Sequence, residues 1–346
     1  MILLTFRDLV FRRTRFLVVS LLGAVVFALL FVMTGLVEQF NLEPYDTVDA
    51  IGADTWVVAD GISGPFTSGS LLPAATVGAV DAAATAPAVV ARSSVATEEG
   101  AEEVFVVGHV IGGVGTPEPD SGTAATSRGE MVADSTAGFE VGDEVLLAGE
   151  PFTVVGETTN TTVLAGIPVV FLPVEDAQEL VFGSDEVISV VLADGPVAAA
   201  PEGTSIMTAD EVAEDVLGPL EGAIASVDLV RVLLWIVAAI IIGAVVYLSA
   251  LDRQRDFAVL KAIGAADRSL LASLAIQAVL VALVAVGLAA IIQIFLAPAF
   301  PLKVRVPARA FWQLPLMAVV MSLIAGAVGM RKVMRADPSQ AFAGAA

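Results

Sequence analysis

Several residue types that support common protein chemistry are missing or rare in this 346-residue chain. It has no cysteine, which excludes disulfides, thiolate nucleophiles and cysteine-ligated metals. A single histidine, His109, leaves little basis for zinc chemistry. The segment 38–228 is rich in acidic residues, and its basic residues are Arg92 and Arg128 alone. Because an acidic domain repels nucleic acid, we predict no DNA or RNA partner.

Catalytic motifs are also lacking. The sequence contains no G-x-x-x-x-G-K-[ST], so we do not expect it to bind ATP through a phosphate loop. It contains no H-E-x-x-H, no G-x-S-x-G and no EF-hand spacing. We therefore predict a chain that is not an enzyme, with no catalytic residues and no intrinsic metal or cofactor. A carboxylate pair within the acidic segment keeps an enzyme as a distant alternative.

Apolar residues are abundant, at 57% of the chain, with a mean hydropathy of +0.86. A bilayer core about 30 Å thick needs about 20 helical residues to cross it. Four apolar runs are long enough, and none has a charged residue at its centre: 16–37, 229–251, 269–297 and 311–330. Ion-coupled carriers usually need charges at mid-membrane, so we expect the transport energy to come from elsewhere.

The basic residues indicate the orientation of these four runs. Three basic groups fall on one side of the membrane if there are four spans: Arg7, Arg12, Arg13 and Arg15; Arg253, Arg255, Lys261 and Arg268; and Arg331, Lys332 and Arg335. This side is predicted to be the cytoplasm. The chain would then be a multi-pass protein of the plasma membrane with both termini in the cytoplasm. Lys303, Arg305 and Arg309 would then lie in an external loop, an exception for which we expect a local role.

We predict a membrane protein with four transmembrane α-helices and an extracytoplasmic α+β domain inserted between helices 1 and 2. The predicted order is a cytoplasmic interfacial helix (1–15), transmembrane helix 1 (16–37), the extracytoplasmic domain (38–228), transmembrane helix 2 (229–251), a cytoplasmic coupling helix (252–268), transmembrane helix 3 (269–297), an external loop (298–310), transmembrane helix 4 (311–330) and a cytoplasmic tail (331–346). A cleaved twin-arginine signal is the alternative for the start, disfavoured by the length of the apolar run and the bulky VEQF that follows.

Strand-like runs punctuated by Gly, Pro and Asp fill the inserted segment. The stretch VGDEVLLAGEPFTVVGE predicts a β-hairpin, and the stretch GGVGTPEPDSGTAAT predicts a loop. Helices are predicted at 73–84, 174–182 and 208–227. The last has a capping box, Thr208 with Glu211, and is expected to run almost directly into the second span.

The strongest local pattern is LDRQRDFAVLKAIGAADRSLLASL at 251–274. It predicts a charged helix that leaves the membrane, ends near Gly264 and restarts near Asp267. Phe257 and Leu260 belong to an apolar face between the charges. Such a face favours burial against another surface. A short amphipathic helix between two spans is therefore predicted to bind another protein.

This stretch resembles the signature of FtsX-like permeases, the membrane subunits of the macrolide-exporter type of ABC transporter, in Arg253-x-Arg255-Asp256 followed by Leu260-Lys261-Ala262-Ile263-Gly264-Ala265. The tail RKVMRADPSQAFAG and the order of spans are similar too. The resemblance implies a homodimer bound to two copies of a cytoplasmic ABC ATPase, which binds the ATP and whose closure moves the outer domains. It also implies which residues couple to the ATPase: Arg253, Arg255, Asp256, Phe257, Leu260, Lys261 and Gly264.

The stretch NLEPYDTVDAIGADTWVVADG after the first span is similar to the haem-exporting permeases of Gram-positive bacteria. This similarity implies a permease that exports haem from the membrane. Within the same family, an exporter of lipid, lipoprotein, peptide or a macrolide-like drug is the alternative. A membrane-anchored regulator of extracellular cell-wall hydrolases is another.

A haem site needs an apolar slot, a basic group for the carboxylates and a ligand for the iron. On the predicted outer end of the first span, Phe27, Phe31, Thr34 and Glu38 share one helical face. Arg231 and Trp235 lie one turn apart on the second span. We expect Glu38, or Met33 on a neighbouring face, to ligate iron. Arg231 would pair with a propionate, although interfacial aromatic residues and a lipid-facing arginine are the ordinary alternative.

The predicted topology is testable because the chain has no native cysteine. A Ser127→Cys variant in intact cells should react with an impermeant thiol reagent, since residue 127 is predicted outside. A Ser339→Cys variant should react only after the membrane is permeabilised. Labelling of Ser339→Cys from outside would contradict the orientation.

Overall fold

The computed structural model describes residues 13–97, 100–252, 267–300 and 302–334. They form two compact units, one made of residues up to Glu38 and from Ala225 onward, the other of Gln39–Ile224. The helices are α1 (Arg13–Ile51), α2 (Val174–Phe182), α3 (Ala209–Leu217), α4 (Glu221–Asp252), α5 (Asp267–Leu296) and α6 (Ala310–Met334). The strands are β1 (Thr55–Ala59), β2 (Leu72–Pro73), β3 (Ala84–Thr97), β4 (Gly100–His109), β5 (Ser121–Gly122), β6 (Glu130–Asp134), β7 (Glu144–Leu147), β8 (Glu150–Thr158), β9 (Thr162–Val163), β10 (Ile167–Pro173), β11 (Val187–Ile188), β12 (Val190–Asp194) and β13 (Thr204–Thr208).

Three helical stretches among the described residues are long and apolar enough to cross a membrane: Phe16–Ile51, Ala209–Leu248 and Leu274–Ala299. The fourth predicted span corresponds to α6, whose apolar part in the described residues, Ala310–Ile324, is shorter. The apolar helices agree with a membrane protein. A count of four spans stays a prediction.

The helical unit exposes many large apolar side chains, and small residues pack with Phe27, Leu30 and Phe31 in its interior. Leu17, Leu21 and Ile240 are all half exposed or more, as befits a lipid-facing or partner-facing surface. The interior instead contains alanines from α1, α4, α5 and α6, such as Ala28 and Ala282. Small residues let membrane helices approach closely, which compensates for the lack of a hydrophobic drive between them.

Helix α1 is longer than the sequence indicated, because it continues from the predicted span through residue 51. No helix was predicted at 38–51, and this part of α1 contains Pro44. Val48 and Ile51 are buried in the core of the α+β unit, and this packing offsets the backbone hydrogen bond that the proline removes. The helix ends at Gly52, whose φ of +70° is the left-handed conformation that glycine adopts readily.

The strands of the α+β unit pair in a path that closes on itself. In the order β3, β4, β10, β6, β8 and β7, each strand pairs with the next, and β7 returns to β3 through Val95 and Leu147. The β4–β10 and β6–β8 pairs are parallel and the others are antiparallel. Buried side chains including Val106, Met131 and Val154 fill one cluster of this ring. Strands β12, β1 and β13 extend the sheet beyond β3.

Several local predictions can be compared directly with these elements. The hairpin is confirmed as β7 and β8, with Leu147 opposite Glu150, and helix 174–182 is confirmed as α2. The Thr208–Glu211 capping box is confirmed at the start of α3. The helix predicted at 73–84 is wrong: residues 74–79 form a 3-10 helix and strand β3 begins at residue 84. The loop 112–126 contains the short strand β5.

The helix predicted at 208–227 is interrupted in the structure. Helix α3 passes through a 3-10 turn at Gly218–Leu220 before α4 begins. Pro219 lacks the N–H group that an uninterrupted α-helix would use there, which accounts for the tighter turn.

Candidate functional site

The seven predicted coupling residues cannot be placed on the fold. Positions 253, 255, 256, 257, 260, 261 and 264 all lie in the segment 253–266, outside the described residues. Their role stays a prediction of the sequence.

The aromatic residues of the predicted haem site form a layer around α1 in the helical unit. Phe27 and Phe31 are buried. The ring of Phe27 meets the ring of Trp235 on α4 edge-on, with centroids 5.9 Å apart. The ring of Phe31 lies 5.2 Å from the ring of Phe311 on α6. Helix α1 therefore contacts α4 through one aromatic pair and α6 through another.

The charged residues of the predicted site each have a partner. Glu38 forms an ion pair with Arg309, just before α6. Arg231 pairs with Asp228, one turn earlier on α4, at 2.6 Å between Nη1 and Oδ1. The sequence predicted neither partner. The Nε of Arg231 is buried and has no hydrogen-bond acceptor in the single chain, so this guanidinium retains a donor for a further anionic group.

The remaining two predicted residues are less suited to binding in this conformation. The Thr34 hydroxyl donates to the backbone oxygen of Leu30 at 2.7 Å, one turn earlier on α1. Met33 is half-buried on a different face of α1 from Phe31. The structure thus brings Phe27 and Trp235 together and gives Glu38 and Arg231 separate ionic partners.

The segment 302–309 packs against α1 at Gly35, a residue that has no side chain. The backbone N–H of Arg305 donates to the Gly35 oxygen at 3.3 Å. A Cβ atom at Gly35 would lie 2.7 Å from Cγ1 of Val304 and 3.0 Å from the backbone nitrogen of Val306. Glycine at this position is therefore what permits the close approach. The sequence signal for this contact was the unexplained basic group at 303–309.

A second polar cluster lies in the α+β unit, where the last turns of α1 meet the turn between β9 and β10. Glu43 is 1% exposed, and its Oε1 accepts from the backbone N–H of Gly166 at 2.7 Å. The Thr47 hydroxyl donates to the backbone oxygen of Thr162 at 2.6 Å. Sequence analysis missed both residues because their partners are more than one hundred positions away.

The turn that Glu43 and Thr47 hold is strained. Leu164 and Ala165 have φ angles of 52° and 71°, a left-handed conformation that is costly for residues with a Cβ atom. Gly166 follows at φ 98°. Strained backbone persists where its surroundings over-determine it, and the two hydrogen bonds from α1 are part of those surroundings.

His109, the only histidine of the chain, lies in the α+β unit. Its side chain is buried at the end of β4, and burial lowers the pKa of His109 below its ordinary value, so the ring is neutral near pH 7. Its Nδ1 lies 3.3 Å from the Thr116 hydroxyl. Within the described ranges, no group of three or more His, Asp or Glu side chains is placed to hold a metal ion.

Comparison with known proteins places these features in a wider context. Residues 229–338 match the family described as FtsX-like permease C-terminal. The chain is 39% identical over 348 residues to the uncharacterized ABC transporter permease Rv2563 of Mycobacterium tuberculosis, covering 99% of this chain and 100% of that protein. It is 38% identical over 348 residues to a second such protein of that organism, Rv0072, with the same coverage.

A likeness to a solved structure was also found. It is the extracellular domain of the noncanonic ABC-type transporter YknZ from Gram-positive bacteria, with 11% identity and a TM-score of 0.33. The match covers 45% of this chain and 100% of that domain.

The contact at Gly35 can be tested by adding one methyl group. A Gly35→Ala variant should speed hydrogen–deuterium exchange at the Arg305 amide, because the new Cβ displaces Val304 and Val306. Gly287→Ala in α5 is the matched control, since nothing lies within 4 Å of its Cβ position. Both variants gain about 1 kcal/mol of helix propensity, so this term cancels. Unchanged exchange at Arg305 in Gly35→Ala would show that the segment does not depend on this contact.

Proposed function

The chain belongs to the family of ABC transporter permeases, and from this premise we propose that helix α1 couples ATP hydrolysis to movement of the α+β domain. A permease of this family is a membrane subunit that works with a separate ATPase. The proposal concerns how this subunit uses the energy that the ATPase releases.

The observation that carries the proposal is that one helix belongs to both units. Residues of α1 up to Glu38 pack in the helical unit, and those from Gln39 pack in the α+β unit. In the second unit, Glu43 binds the turn that leads into β10, and Thr47 binds the preceding strand β9. Strand β10 lies between β4 and β6 in the closed ring, so a displacement of α1 is applied directly to the sheet.

The assembly that we propose follows the sequence prediction. Two copies of the chain form a homodimer with four spans each, both termini in the cytoplasm and residues 38–228 outside. The segment 252–268 docks on the ATPase through Phe257 and Leu260, with the charged residues around them. This arrangement is supported by the basic flanks of the predicted cytoplasmic segments and by the resemblance of their sequence to FtsX-like permeases.

We propose haem as the substrate, and the support comes from the residues around α1. The aromatic layer supplies apolar surface. Arg231 retains an unused donor that suits a propionate. Glu38 would have to leave Arg309 before it could ligate iron, with Met33 as the softer alternative. Because Phe27 and Phe31 are buried, haem would enter only when α1 separates from α4 or α6. Lipids, lipoproteins, peptides, drugs and hydrolase regulation are the competing outcomes.

The test is ATP hydrolysis by the purified permease–ATPase complex in nanodiscs, with and without haem. Wild-type complex should hydrolyse ATP faster when haem is added. Arg231→Ala and Glu38→Ala should each bind haem at least about tenfold more weakly, since a charge-assisted contact contributes about 1.5–3 kcal/mol. Arg92→Ala is the matched control, because Arg92 pairs with Glu103 on exposed strands of the other unit.

A further variant separates substrate binding from coupling. Phe257→Asp should still bind haem, seen in its absorbance spectrum, but should lose the stimulation of ATP hydrolysis, because a charge in an apolar contact is costly. If haem neither binds nor stimulates and a lipid, peptide or drug does, haem is the wrong substrate. If Phe257→Asp is stimulated normally, the docking surface is elsewhere.

A further inference from the structure

The segment 302–309 concentrates positive charge in a chain that has little of it. This eight-residue segment has three basic residues and no acidic one, whereas the whole stretch 38–252 also has three: Arg92, Arg128 and Arg231. We propose that the segment binds the phosphate of an anionic membrane lipid. In this proposal Arg309 exchanges its partner Glu38 for the lipid phosphate. The proposal rests on the proposed function only for placing the segment at the outer membrane surface.

The ion pair at Arg309 is asymmetric in its exposure. The side chain of Glu38 is 17% exposed, whereas that of Arg309 is 59% exposed. A guanidinium has five N–H donors in a planar fork, and the contact with Glu38 uses the donor at Nη2. The exposed part of Arg309 therefore retains donors for a second anion, and phosphate oxygens match this geometry.

The backbone of the segment is held in place beside Arg309. Its contact at Gly35 fixes Val304 and Val306 against α1, and the Arg305 amide is bonded to the Gly35 oxygen. Holding the backbone of a binding segment reduces the conformational entropy that binding would otherwise cost. The basic side chains are thus carried on a positioned backbone rather than on a free loop.

The neighbouring residues indicate a lipid rather than a dissolved phosphate. Phe311 and Trp312 lie two and three residues after Arg309 and are 47% and 59% exposed. Exposed aromatic residues at the end of an apolar helix are typical of the membrane–water interface, at the level of the headgroups. Basic residues near an anionic membrane surface each contribute about 1 kcal/mol to the attraction.

The alternative is that the Glu38–Arg309 pair only joins α1 to the start of α6. The two explanations predict different effects of Glu38→Gln on lipid binding. If the pair is only structural, Glu38→Gln and Arg309→Gln weaken the same contact and have the same effect. If Arg309 binds lipid phosphate, Glu38 competes with the lipid for the guanidinium. Arg309→Gln then weakens lipid binding, whereas Glu38→Gln strengthens it.

The experiment uses the full chain reconstituted with equal parts of phosphatidylglycerol and phosphatidylcholine. The lipids that remain bound after mild detergent washing are counted by native mass spectrometry. Wild type should retain phosphatidylglycerol preferentially. Arg309→Gln should lower this preference about fivefold and Glu38→Gln should raise it, as expected for about 1 kcal/mol per charge. Arg92→Gln, in the other unit, should change nothing.

Two further measurements make the result decisive. The double variant Lys303→Gln/Arg305→Gln leaves the Glu38–Arg309 pair intact and should also lower the preference, which covers the case in which Arg309→Gln does not fold. The proposal would be overturned if Arg309→Gln and Lys303→Gln/Arg305→Gln both kept the wild-type preference for phosphatidylglycerol. It would also be overturned if Glu38→Gln and Arg309→Gln lowered this preference equally. Displacement of the lipid by millimolar inorganic phosphate would overturn the lipid as ligand.

Because neither haem nor the ATPase is present, the lipid result is independent of the proposed function. A chain that binds phosphatidylglycerol through Arg309 but does not respond to haem would support this inference and contradict haem export. A chain that responds to haem but does not bind phosphatidylglycerol through Arg309 would support haem export and contradict this inference.

Discussion

The contact between the last turns of α1 and the β9–β10 hairpin is the physical basis of the proposed coupling, because it joins the end of this helix to the sheet of the α+β unit. Thr47 binds one strand of the β9–β10 hairpin, and Glu43 binds the strained turn that joins the two strands. Pro44, between them, costs α1 a backbone hydrogen bond, so the helix continues here because its side chains are held in the core. In the proposed coupling, a helix secured in this way would transmit a displacement to the sheet, whereas a flexible linker would absorb it.

The scarcity of basic residues shapes the chemistry of the α+β unit. Its buried carboxylates are stabilised by backbone amides and hydroxyls. Asp134 accepts from the amides of Thr136 and Thr161 at 2.9 and 2.7 Å, and Glu43 accepts from Gly166. Arg128, one of the two basic residues of 38–228, binds Asp176 at 2.5 Å. Such hydrogen bonds offset part of the cost of burying Asp134 and Glu43, and Oε2 of Glu43 has no hydrogen-bond partner in the single chain.

Sequence reasoning succeeded where the signal was local. Apolar runs predicted the long helices, the stretch VGDEVLLAGEPFTVVGE predicted the β7–β8 hairpin, and Thr208 with Glu211 predicted a helix start. It failed where stability comes from distant partners. The extension of α1 depends on packing of Val48 and Ile51 against strands that follow much later in the sequence. The closure of the sheet through β7 and β3 has no periodic pattern in the sequence that would predict it.

The haem site itself stays a prediction, and only the neighbours of its residues can be compared. Spacing on one helix grouped Phe27, Phe31 and Glu38 on α1, but it could not reveal Arg309 or Phe311, which come from the other end of the chain. The basic residues at 303–309 were noticed as an exception to the positive-inside rule. Their contact with Gly35 required the fold, because a glycine in an apolar run has many possible neighbours.

Movement of α1 is tested most directly by a single spin label at Asp49→Cys, an exposed position on α1 within the α+β unit of a chain that has no other cysteine. Pulsed electron paramagnetic resonance of the permease–ATPase complex would measure the distance between the labels of the two copies in the proposed homodimer, with and without trapped ATP. Coupling through α1 predicts that the distance distribution shifts when ATP is bound. The same distribution in both states, in a complex that hydrolyses ATP, would contradict it.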